Sequence, residues 1–104
     1  MKGVIWSCDR VGDGIEKLKY IRDRYILSGV NPTREVYSKS NSWIDFDNGD
    51  NWRVASAHES SRAIRANIAW IDARVNNEFF HTVILPTLRC YIGPNYYEFF
   101  YAKE

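Results

Sequence analysis

Residues 42–57 read SWIDFDNGDNWRVASA. Ile44 and Phe46 alternate with Asp45 and Asp47, which gives a strand one apolar face. Trp52 and Val54 repeat the pattern after DNGDN. Asn48-Gly49 is the favoured pair for a two-residue hairpin turn, because both central residues then need positive φ. This stretch therefore predicts two antiparallel strands, and the rest of the chain is read outward from it.

Upstream, GVIWSC (3–8) is a short apolar run bounded by Gly3 and Asp9, as in a buried strand. Asp13 is placed as an N-cap with Glu16 three residues on, and Ile15, Leu18, Ile21 and Tyr25 follow at helical spacing. Gly29 and Pro32 end that pattern, so a helix is predicted over 13–28. Residues 35–38 and 42–47 read as extended. Downstream, 58–66 is polar and ambiguous between a loop and a helical turn. NIAWIDA (67–73) is a second buried strand ending in Asp72. NEFFHTVILPTLR (77–89) is helical, with Pro86 expected to kink or shorten it. CYI (90–92) and YYEFFYA (96–102) flank a GPN turn. The order strand, helix, hairpin, strand, helix, strand predicts one small α/β (or α+β) domain over 1–104, with a mixed sheet of about five strands and two main helices.

Composition narrows the function. Fourteen basic residues balance thirteen acidic ones, and neither half of the chain is basic. A protein that coats nucleic acid non-specifically needs a net positive footprint, which is missing here. Two cysteines, Cys8 and Cys90, do not make a disulfide framework and read as buried thiols. The first residues are too polar for a signal peptide, and no apolar run is long enough to span a membrane. The expected location is the cytoplasm, in a bacterium or an infected bacterial cell.

No complete catalytic set is legible. Asp72 closes an apolar strand in the way a magnesium-binding Asp does in nucleotide-hydrolysing motors, but Ala73 follows it where a water-orienting Glu would stand. No phosphate-loop motif occurs, and Asp9 and Asp13 would repel a phosphate at the first helix. Asp45, Asp47 and Asp50 resemble a calcium loop only superficially; a solvated turn or an acidic docking patch fits them better. Cys8 with His58 or His81 is a weak nucleophile pair, since Cys8 continues an apolar strand. No cofactor is expected, and Asp72 is the single weak metal candidate. The binding candidates are Arg53, Arg62, Arg65 and Arg74, interleaved with Trp52 and Trp70, together with Tyr96, Tyr97 and Phe99. Arginine with aromatics suits phosphates and stacked bases, and equally suits protein hot spots. The C-terminal aromatics must alternate across a strand, so some face outward and suit a partner or self-association.

Several pieces, in this order, resemble the middle of the ATPase domain of phage terminase large subunits. GVIWSCDRVGDGIEKLKYIRDRY (3–25) is similar to the strand and helix after that family's phosphate loop, and SWIDFDNGDNWRVAS (42–56) to its hairpin. SSRAIRANIAWIDA (60–73) is similar to the approach to the magnesium Asp, VILPTLR (83–89) to the following helix end, and RCYIGPNYYEFFY (89–101) to the coupling segment. The phosphate loop and the nuclease domain are absent, Ala73 replaces the catalytic Glu, and no Ser or Thr precedes Gly93-Pro94. The resemblance carries over only Asp72, as the position of the magnesium ligand. It implies a non-catalytic phage-type protein that binds a packaging-motor component or inhibits a host defence protein. A nucleic-acid-binding accessory protein is the alternative. Membrane association is not expected; self-association is left open.

Overall fold

The computed structural model describes residues 1–8, 11–38, 41–57, 66–89 and 96–101. Six strands, β1 (Lys2–Ser7), β2 (Pro32–Val36), β3 (Trp43–Phe46), β4 (Asn51–Ser56), β5 (Ile68–Asp72) and β6 (Tyr96–Phe100), form one mixed sheet in the order β2-β3-β4-β1-β5-β6. β1 is parallel to both β4 and β5, β5 is parallel to β6, and β2-β3-β4 is antiparallel. The α/β reading holds, with one strand more than expected.

α1 (Val11–Leu27) packs on one face, against β1, β3 and β4. Its core contains Ile5, Leu18, Ile44, Phe46 and Trp52. The opposite face takes the second helical segment, whose Phe80, Ile84 and Leu88 meet Val4, Trp6, Ala69 and Ile71. Adjacent residues of β1 thus serve opposite cores, as the strand repeat requires. Ile5, Leu18, Ile44 and Ile84 are fully enclosed, each contributing about 1.5–3 kcal/mol relative to an exposed side chain.

α1 begins two residues earlier than predicted, so Asp13 is not its cap but part of its first turn. An acidic residue is still favourable there, beside the positive end of the helix dipole. Its last turn closes at Gly29 (φ 92°): the Val30 N–H donates to the Tyr25 carbonyl and the Gly29 N–H to the Ile26 carbonyl. This is a Schellman arrangement, with Val30 and Tyr25 packed on the same core.

The hairpin forms, but with a three-residue loop. Asp45 pairs with Asn51, the Phe46 N–H donates to the Asp50 carbonyl, and the Gly49 N–H donates to the Phe46 carbonyl. Gly49 carries the positive φ (93°), which a left-handed position after the turn demands. The two-residue loop expected from Asn48-Gly49 is therefore corrected by one residue.

Asn76 caps the second helical segment through its side-chain oxygen, which accepts from the Glu78 and Phe79 N–H groups. α2 (Asn77–Phe79) runs into a π-helical turn over Phe80–Ile84 and on into α3 (Leu85–Arg89). Pro86 has no N–H and its ring would crowd the carbonyl four residues back. The wider turn immediately before it, with the Leu85 N–H donating to the Phe80 carbonyl, lets the helix continue instead of stopping. Residues 58–65, which hold all but the last residue of the ambiguous 58–66 segment, and CYI (90–92) with the GPN turn (93–95) lie outside the described residues. No helix among the described residues is long and apolar enough to cross a membrane.

Candidate functional site

Three places gather the residues that the sequence singles out. The first is the hairpin. Its carboxylates do not converge: Asp45 accepts from the Asn51 side chain at 2.6 Å, Asp47 from the Asn31 N–H at 3.3 Å, and Asp50 from the Tyr25 hydroxyl at 2.7 Å. Asp50 also pairs with the amino group of Met1 at 3.3 Å. Tyr25 in turn accepts from the Trp52 indole N–H at 3.0 Å. Burial pushes the Tyr25 hydroxyl up to about 12; the indole N–H works against the shift and the Asp50 carboxylate adds to it. Trp52 is only 3% exposed, so its assignment as a binding residue is corrected: it is a core residue anchored at its nitrogen. Its neighbour Arg53 points to the opposite, exposed face.

The second place is the carboxyl end of the parallel strands, where open α/β sheets commonly hold ligands. Asp72, at the end of β5, is fully enclosed. Arg74 grips it with a fork: Nε to Oδ1 at 3.1 Å and an Nη to Oδ2 at 2.7 Å, with the Arg74 backbone N–H also on Oδ1 at 2.9 Å. The same Nη reaches Asp13 of α1 at 2.7 Å. Burial alone would raise the Asp72 carboxyl. The Arg74 bonds and charge, with the Cys8 backbone N–H, outweigh it and hold the carboxyl below its usual range. The Arg74 guanidinium is correspondingly held more firmly protonated by the two carboxylates. Both oxygens of the weak metal candidate are thus occupied by an internal cation. Among the described residues no three His, Cys, Asp or Glu side chains cluster as a metal site would require. Arg74, placed among the binding candidates, is half committed here: it ties the start of α1 to the end of β5, across 61 residues of sequence.

Cys8 lies just past β1 at the same rim and is partly exposed, not buried as expected; its thiol donates to the Arg74 carbonyl at 3.4 Å. An open depression of about 540 Å³ is bordered by Cys8, Arg74, Glu78, Phe79 and Thr82. His81 is exposed and rests against Phe80, whereas His58 is outside the described residues.

The third place is β6. It ends the sheet, and its alternation splits the aromatics as predicted. Phe100 turns into the α1 core, while Tyr97 and Phe99 lean on Phe80 at ring distances of 5.2 and 5.3 Å and stay 44% exposed. Tyr96 is half exposed and donates to Glu98 at 2.8 Å, and Tyr101 is almost wholly exposed. Across the sheet, Trp70 is half-buried under Lys17, whose ammonium sits 3.9 Å from the ring centroid. Arg62 and Arg65 lie outside the described residues; of the rest of the Arg/Trp stretch, Trp52 and Arg53 face opposite sides of β4.

Comparisons with protein families, with curated proteins and with solved structures find no match for this chain. Sequence reasoning singled out neither the Tyr25 hydroxyl, which accepts from the Trp52 indole, nor Trp43, which β3 turns away from the α1 core. The alternation that turns Ile44 and Phe46 inward already turns Trp43 outward, and that signal was available in the sequence.

Proposed function

We propose that the chain is a protein-binding module that receives an extended segment of a partner along β6. The observation that carries this reading is the edge itself. Tyr96, Tyr97 and Phe99 on this terminal strand, and Tyr101 just past it, are all 44% exposed or more, and Glu98 is the single charge in Tyr96–Phe100. Natural edge strands are normally blunted by lysine, proline, a bulge or a cover. β6 has none of the first three, and no further strand lies beyond it among the described residues. An added strand would take main-chain hydrogen bonds for affinity and aromatic pockets for specificity. Tyrosine and phenylalanine supply large contact area at small entropic cost.

The terminase-like order of the sequence elements supports a packaging-motor component or a host defence protein as that partner. The acidic hairpin lies at the other end of the sheet and is too internally bonded to serve as the main contact.

The test compares the wild type with Tyr97→Asp/Phe99→Asp. The tagged proteins are mixed with lysate of phage-infected cells, and the recovered complex is examined by hydrogen exchange of the β6 amides. Stoichiometric capture that the double substitution abolishes, with slowed exchange in β6, supports the reading. Capture unchanged by the substitution, or β6 amides that exchange as in the free chain, refutes it.

A further inference from the structure

The opposite end of the sheet carries a second surface of different chemistry. Because Ile44, Phe46 and Trp52 belong to the α1 core, the alternating residues Trp43, Asp45, Asn51 and Arg53 emerge on the other face. The second helical segment does not reach them: its core includes Ala55 of β4 and nothing from β2 or β3. Trp43 stands directly across from Arg53 in the β3–β4 ladder. From the neighbouring strand, the Arg34 guanidinium lies 5.3 Å from the centroid of the Trp43 ring. Trp43 is half-buried and both arginines are exposed. Among the described residues neither guanidinium has a hydrogen bond or an ion pair. Lys2, on the same face of β1, extends the row, and Asn41, Trp43, Asn51 and Arg53 line a shallow depression of about 290 Å³.

We propose that this face binds single-stranded nucleic acid, with one base stacked against Trp43 and the flanking phosphates on Arg34, Arg53 and Lys2. Three cations face one carboxylate here, Asp45, whose Oδ1 is already bonded by Asn51. That balance favours an anionic chain. A protein interface core would need more apolar area than a single indole provides. A flat, aromatic-bearing sheet face can reach an unstacked base, whereas the bases of a duplex are sequestered. The Asn41 side-chain amide borders the depression, as does Asn51, whose amide N–H is spent on Asp45 and whose side-chain carbonyl oxygen is left to meet a base edge. The surface is separate from β6 and stands or falls independently of the protein-binding reading.

The experiment is fluorescence anisotropy with a labelled oligothymidylate of about 12 nucleotides. A duplex of the same length and heparin serve as competitors. The single strand is expected to bind with a log–log salt slope of about −2, since each of three contacts contributes about −0.7. Trp43→Ala should weaken binding about 5- to 150-fold, the range for loss of one stacked base. Arg53→Ala, at an exposed position that carries no fold, should reduce the slope by about 0.7. Tyr97→Asp/Phe99→Asp should leave the affinity unchanged. Absence of binding at about 50 mM salt overturns the proposal. So does binding indifferent to Arg53→Ala, or competition by duplex or heparin as effective as that by the single strand.

Discussion

Replacing Gly3 with alanine tests whether the α1 core is as tightly keyed as its geometry implies. A Cβ at position 3 would lie 2.4 Å from two carbons of the Trp52 ring and 2.5 Å from a third. Comfortable carbon contacts begin near 3.5 Å, so the methyl intrudes by about 1 Å. The indole cannot simply swing aside: it is 3% exposed, and its nitrogen donates to the Tyr25 hydroxyl at 3.0 Å. Overpacking of this kind costs about 1–3 kcal/mol. If the displaced indole also loses its hydrogen bond, about 1 kcal/mol more is forfeited. In a domain of this length that corresponds to a fall in Tm of roughly 10–20 °C. The assay is thermal unfolding by circular dichroism, paired with hydrogen exchange at the Trp52 indole N–H, which should become faster. A double-mutant cycle with Trp52→Leu should show the two changes costing less together than their sum. A Gly3→Ala protein that melts within about 2 °C of the wild type would refute the argument.

Other consequences follow from the ion pairs and turns. Arg74→Ala leaves Asp72 fully enclosed without its cation and frees Asp13. In the wild type the depressed Asp72 carboxyl contributes stability that is present above its unfolded value and lost as pH falls through the folded one. The variant lacks that contribution, so urea midpoints of the two proteins should lie far apart at pH 7 and converge in acid. A constant gap down to about pH 3 would count against it. At the alkaline end, burial raises the hydroxyls of both Tyr25 and Tyr37 from 10.0 to about 12, and the Glu35 bond adds to the shift at Tyr37. The folded state then keeps protons that the unfolded chain has released, so stability should fall as pH rises from 10 through 12, as followed by pH-dependent melting. Tyr25→Phe should flatten part of that slope. Gly49→Ala places a side chain at φ 93° and should cost about 1–2 kcal/mol in chemical denaturation, with no change in the folded spectrum.

The parts of the fold that are legible in the sequence are those governed by local rules. The alternation around Ile44 and Phe46, the helix stop at Gly29 and the aromatic split along 96–100 are each decided within a few residues. Boundaries were less secure. β2 starts at Pro32, which sequence reading treated as a helix breaker; at the first residue of an edge strand its missing N–H costs nothing. The Pro86 kink became a π-helical turn because the Phe80, Ile84 and Leu88 stripe gains more from staying on the sheet than the chain loses in helix geometry. Contacts set by long-range packing could not be read at all. Nothing local tells that Arg74 closes on Asp13, or that Tyr25 receives the Trp52 nitrogen. Trp52 looked like an interface residue because arginines surround it in sequence; strand alternation, applied consistently, places it inward with Ile44 and makes Trp43 the outward indole.

The two helical layers are offset. α1 shields β1, β3 and β4 on one side, and the second helical segment shields the β1, β5 and β6 side of the other. β2 and β6, at the two ends, are five strand spacings apart, about 24 Å. A guest strand on β6 and a nucleic-acid strand near β2 would therefore never collide, and neither would need to displace the other. With both proposed ligands in place, a domain built this way would act as a spacer as well as a receptor. It would hold two ligands at a fixed separation and raise the local concentration of each for the other.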